Sequence, residues 1–192
     1  MREVRAGIWH WESPHPEWGE VVSSYAIDDG ARLLLFDPLA VPDEVVSLAA
    51  NRDTSILLTC PWHRRDAIEL AGRLGVDIHV PPPDARDPEP VPGRIYRIGA
   101  QLPIGVEAFP GMEPNDLVLW IECRHALVVG DTLIDRGAGL EFPRDWADGK
   151  TQTADQILSS LQTLLKLPVE VVLPTHGPPT DRAGLARAIE LM

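Results

Sequence analysis

The stretch LTCPWHRRD, residues 58–66, sets a thiol (Cys60), an indole (Trp62), an imidazole (His63), two guanidiniums (Arg64, Arg65) and a carboxylate (Asp66) directly behind a short apolar run. Two more polar clusters follow apolar runs in the same way: VVGDTL around Asp131 and VLPTHGPP around His176. Imidazoles and carboxylates at strand ends suit metal binding or acid–base work, because rigid backbone holds them in place. Each also has a plainer role when taken alone. A histidine after a strand commonly hydrogen-bonds backbone, Asp131 can cap its turn, and Asp66 can serve the free amides of the helix that starts beside it. The two arginines can bind a small anion at that helix start or stand solvated on the surface.

The elements that must position these groups are legible in outline. EVVSSYAIDD and ARLLLFD are apolar, β-prone runs flanking Asp28-Asp29-Gly30, a hairpin signal. PDEVVSLAA, SILLT, RDAIELAGRLG and VDIHV then alternate helix and strand, with Gly75 ending the second helix. This order predicts a layered α/β sheet whose catalytic loops lie at the carboxyl ends of strands. The proline-rich VPPPDARDPEPVPG, residues 80–93, reads as a surface loop. Beyond it RIYRIG, GVEAFPG, DLVLWIE and HALVVGD read as strands, and TADQILSSLQTLLKL as a helix capped by Thr153. VEVVLPTHG is a last strand and TDRAGLARAIELM a closing helix.

Composition bounds the function. A chain of 192 residues, 44% hydrophobic, can bury one sizeable core, so a single domain over 1–192 is expected. The formal charge of −12 argues against a nucleic-acid or anionic-membrane partner. No apolar run reaches the roughly 18–20 residues that span a bilayer, and MREVRAGIWHW lacks a signal-peptide core, so a soluble, cytoplasmic protein is expected. The two cysteines, Cys60 and Cys123, fit buried apolar positions better than a disulfide framework. Trp9, Trp11 and Trp18 read as cover for the end of a core, and His10, His15, His79 and His125 receive no site. An exposed edge strand or the tryptophan-rich N-terminus can support a homodimer.

Taken in order, SSYAIDDGARLLLFDP, ILLTCPWHRRD, FPGMEPNDLVLWI, ALVVGDTLI and VVLPTHGPP make the chain resemble the metallo-β-lactamase fold superfamily over nearly its whole length. The resemblance implies an α/β fold, an αβ/βα four-layer sandwich, and a site where one or two zinc or iron ions activate water for hydrolysis. The family pattern places His-x-His-x-Asp-His after LT, a His after PG, an Asp in GDTL and a His in THG. Asp131 and His176 match it. Without gaps, Cys60 and Trp62 stand at the first two His positions, Arg64 at the Asp, Arg65 at the third His and Met112 at the His after PG. A thiolate can ligate zinc, but an indole has no lone pair to offer and a guanidinium stays protonated.

Two readings follow. The favoured one is a degenerate site without a metal, catalytically silent or binding a small molecule or anion, lined by Arg64, Arg65, Asp131 and His176. In it a guanidinium from Arg64 or Arg65 replaces the cation beside Asp131. The alternative admits a one-residue shift, giving His63, Asp66, Asp131 and His176 as ligands of one zinc, iron or manganese ion. That protein would be a mononuclear hydrolase of an ester, thioester, lactone or phosphoester.

Overall fold

A computed structural model describes residues 1–84, 89–148, 150 and 152–190. A seven-stranded sheet runs in sequence order from β1 (Arg2–Arg5) through β2 (Ile8–Pro14), β3 (Val21–Asp28) and β4 (Arg32–Phe36). It continues past α1 (Asp43–Ala49) to β5 (Asp53–Leu57), then past α2 (Ala67–Leu74) to β6 (Asp77–Val80) and β7 (Arg94–Ile95). β1 to β4 are antiparallel and β4 to β7 parallel, as a hairpin followed by β-α-β crossovers requires. The Asp28–Gly30 turn is closed by carboxylates: Asp28 Oδ1 accepts from Gly30 N, and Asp29 Oδ1 from Ala31 N and Arg32 N.

The second half supplies β8 (Val106–Pro110), β9 (Leu117–Ile121), β10 (Ala126–Val128), a small ribbon of β11 (Ile134–Asp135) and β12 (Leu140–Glu141), and α3 (Arg144–Ala147). α4 (Ala154–Leu161), β13 (Val171–Leu173) and α5 (Arg182–Ala188) complete it. Its main sheet has the order β13-β10-β9-β8, with β10 and β13 parallel. Thr153 caps α4 through a reciprocal bond with Gln156.

Alternation along the strands builds the layers. Tyr25, Ile27, Leu34 and Phe36 from the first sheet meet Leu117, Leu119, Ile121, Val128 and Leu173 from the second in one buried cluster between the sheets. The opposite faces, Ala26, Leu33 and Leu35 on one side and Val118, Trp120 and Leu127 on the other, are covered by α1 and α2 and by α3 to α5. The result is helix, sheet, sheet, helix. Among the described residues no helix is long and apolar enough to cross a membrane.

Several details differ from the sequence expectation. IWHWESP is a full strand, β2, although its mixture of indole, imidazole, carboxylate and proline hides the alternation. RIYRIG contributes only Arg94 and Ile95, and the helix expected over 153–167 is α-helical to Leu161 and a 3₁₀ turn to Lys166. Cys60 is buried but Cys123 is exposed, because the latter sits in the turn between β9 and β10. Residues 85–88 of the proline-rich segment and 191–192 of the closing helix lie outside the described residues.

Candidate functional site

Four parallel strands end at the same place. Asp37 follows β4, Thr59 to His63 follow β5, Asp131 follows β10, and Thr175 and His176 follow β13. Carboxyl ends of parallel strands in both sheets thus supply one polar cluster, as the strand order predicts. Hydrogen bonds to main-chain carbonyls hold it across the sheets: Tyr25 Oη donates to Pro174 O (2.7 Å), Ser23 N to Thr175 O (2.8 Å) and Leu117 N to Thr59 O (2.9 Å).

His63 lies at the centre, with 1% of its surface exposed. Its Nδ1 is 3.1 Å from Thr59 Oγ1 and 3.3 Å from Asp37 Oδ2, and its Nε2 is 3.0 Å from Asp131 Oδ1. Thr59 Oγ1 donates its single proton to Asp37 Oδ2 (2.7 Å), while Thr59 N donates to Asp37 Oδ1 (2.9 Å). The hydroxyl therefore accepts from His63, which makes Nδ1 an N–H. The Nε2 lone pair of a neutral ring would then face a carboxylate oxygen at repulsive range. Among the described residues the buried Nε2 has no hydrogen-bond partner, although Asp131 Oδ1 stands 3.0 Å away.

Burial disfavours the imidazolium, yet Asp131 and then Asp37 more than offset it, raising His63 to about 9. Burial would raise Asp131, but His63 and His176 hold it well below the usual carboxylate range. Asp131 Oδ2 accepts the indole N–H of Trp62 (2.7 Å), and Oδ1 accepts from Thr175 Oγ1 (3.3 Å) and lies 3.4 Å from His176 Nε2. Asp116, fully buried beneath, is raised to about 7 by burial and by Asp131, with its Oδ2 accepting from Thr132 Oγ1 (2.7 Å).

The structure corrects the expected cation. Neither arginine donates to Asp131 among the described hydrogen bonds. Arg64 Nη1 pairs with Glu89 Oε2 (3.1 Å), and Arg65 Nη1 donates to Ser23 O (3.0 Å) and Asp37 O (2.7 Å), tying the β4 loop to β3. The basic side chain beside Asp131 is His63, whose Nε2 is 3.0 Å from Asp131 Oδ1 and whose Nδ1 is 3.3 Å from Asp37 Oδ2.

Asp66 also falls outside the cluster. Its Oδ2 accepts from Ala40 N (2.6 Å), which spends the carboxylate on the loop before α1 rather than on a cation or on its own helix cap. Of the shifted ligand set, His63, Asp131 and His176 come together. Among the described residues, the group whose donor atoms all lie within 4.8 Å is Cys60, His63 and Asp131, with His176 outside it. Burial, followed by Asp131, Asp116 and Asp37, keeps the Cys60 thiol well above its ordinary pKa.

Asp37, Thr59 and Asp116 carried no sequence signal that set them apart from turn residues. Trp62 was legible as a lost ligand but not as a donor to Asp131. Beside Asp131 opens a cleft of about 470 Å³ walled by Trp62, Met112 and Trp146. Trp146 meets His176 edge-on, with centroids 5.8 Å apart.

Residues 57–176 match the family model of the metallo-beta-lactamase superfamily. Among solved structures, DIM-1 metallo-beta-lactamase is 16% identical, with 97% of this chain and 93% of that chain aligned at a TM-score of 0.73. A metallo-beta-lactamase from Pontibacter korlensis is 18% identical over 98% and 95% of the two chains, TM-score 0.71. A metallo-beta-lactamase family protein from Thermus thermophilus is 16% identical over 97% and 78%, TM-score 0.67. At such identities the likeness is one of fold. No curated protein sequence matches the chain.

Proposed function

The chain belongs to the metallo-beta-lactamase superfamily, and we propose that it is a member whose site works without a metal ion, as a small-molecule binding protein silent in metal-dependent hydrolysis. One observation carries this reading: His63 is buried between Asp37 and Asp131, with its Nδ1 3.1 Å from the Thr59 hydroxyl and its Nε2 facing a carboxylate. An Nε2 proton makes the ring the cation that both carboxylates require.

The donor set fits a divalent ion poorly. Loading one at Cys60, His63 and Asp131 takes a proton from a thiol held above its ordinary pKa and another from an imidazole raised to about 9. The imidazole proton alone costs about 3 kcal/mol at neutral pH. Asp131 also has one oxygen committed to the Trp62 indole. If an ion were held, these three residues would be its ligands, and it would supply an activated water.

The alternative, a mononuclear hydrolase of an ester, thioester, lactone or phosphoester, draws support from the grouping of Cys60, His63 and Asp131, with His176 Nε2 3.4 Å from Asp131 Oδ1. ¹⁵N NMR of the imidazoles separates the two. Protons on both His63 nitrogens at neutral pH, in protein purified without chelator, are expected. An unprotonated Nε2 together with stoichiometric zinc, iron or manganese would overturn the proposal.

A further inference from the structure

The walls and rim of the cleft beside Asp131 specify a ligand class. The apolar surface comes from two indoles and a thioether, Trp62, Trp146 and Met112, which suits a compact hydrophobic body. Among the described residues the charged rim is Asp84, Glu113 and Asp131 against Lys150, whose ammonium is paired with Glu113, with His63 behind Asp131. Neither Arg64 nor Arg65 lines the cleft; one is paired with Glu89 and the other bonds main-chain carbonyls. An anion entering here meets three carboxylates and one ammonium among the described lining residues, in the field of a chain of −12.

The indoles are prepared for the opposite charge. Trp62 donates its N–H to the Asp131 carboxylate at 2.7 Å, which fixes the ring and pushes electron density onto its face. Trp146 already accepts a cation: the Arg136 guanidinium stands 5.2 Å from its ring centroid. Arg136 is anchored there by Asp145 and is not part of the cleft lining, so it marks the affinity of the ring without filling the cleft.

We propose that this cleft binds a small organic ammonium ion, its cationic head against the indoles of Trp62 and Trp146 and its apolar body against Met112. The assignment rests on the metal-free reading above, because a divalent ion on Asp131 would invert the local charge.

The test uses the full chain and three probes of one shape: choline, the neutral 3,3-dimethylbutan-1-ol and the anionic 3,3-dimethylbutanoate. Binding is followed by the indole N–H resonances of Trp62 and Trp146. Choline is expected to bind roughly tenfold tighter than the alcohol, with the anion weakest. Trp146→Leu should lower choline affinity by about tenfold and leave the alcohol nearly unchanged. Glu113→Gln, which removes a rim carboxylate without touching either indole, should narrow the gap between choline and the anion and keeps the proposal testable if Trp146→Leu fails to fold.

Equal or tighter binding of the alcohol or the anion overturns the assignment, as does the absence of any indole shift at about 20 mM choline. Metal content of the same preparation keeps the two proposals apart. Bound metal with a choline preference defeats only the metal-free reading; metal-free protein without that preference defeats only the ligand assignment.

Discussion

In the metal-free reading His63 carries a proton between two carboxylates, and its titration is linked to folding. Its pKa is about 9 in the native state against an ordinary 6.5, so the native state holds the proton more tightly. That stabilisation is complete below 6.5 and is lost as pH rises through 9, a change of about 3 kcal/mol. Denaturant unfolding at a series of pH values should show this decline, and His63→Gln should abolish it while costing roughly 3–5 kcal/mol at neutral pH by leaving buried carboxylates unpaired. Asp116 acts in a lower window. Its carboxyl is raised from 3.8 to about 7, so its contribution is present below 3.8 and lost as pH rises through 7. Asp116→Asn is expected to flatten the stability profile over that range; an unchanged slope would show that the group ionises freely in the fold.

At the scale of elements, the site depends on how closely strand ends approach one another. Gly130, between β10 and Asp131, has φ +54°, and a Cβ there would lie 2.6 Å from Asp116 Oδ1 and 3.1 Å from Thr59. Gly130→Ala therefore meets both backbone strain and a collision with two site residues. A loss of roughly 1–3 kcal/mol is expected from the strain alone, read as a lowered urea midpoint with an unchanged m-value. The Trp62 and His63 resonances should shift in the same variant, because Asp131 moves with the turn. Arg65 serves this scale too. Its φ of +38° and its bonds to Ser23 O and Asp37 O make it a strap for the β4 loop.

For the whole molecule, the question is whether the native state gains anything from a metal. A ligand that binds only the folded state stabilises it by RT ln(1 + [L]/Kd), about 4 kcal/mol at a thousandfold excess over Kd. Excess zinc, or EDTA, is expected to leave the melting temperature unmoved. A zinc-dependent rise that disappears in His63→Gln would return the protein to the hydrolase reading.

The alternation of SSYAID and LLLF, the Asp28–Gly30 turn and the strand–helix order from residue 31 to 80 determined β3 to β6 of the first sheet, because period-two burial and turn chemistry are local, whereas β1 and β2 were not legible. Asp131 and His176 were legible for the same reason, as polar groups at the ends of apolar strands. The cation beside Asp131 was not. Sequence neighbours favoured Arg64, Arg65 and Asp66, whereas the fold sends these to Glu89, to the Ser23 and Asp37 carbonyls and to Ala40 N. His63 and Asp37 stand 26 positions apart, and His63 and Asp131 a further 68, so only the docking of β4, β5 and β10 brings them together. A proton shared among such groups is set by distance and burial, and both are properties of the tertiary structure alone.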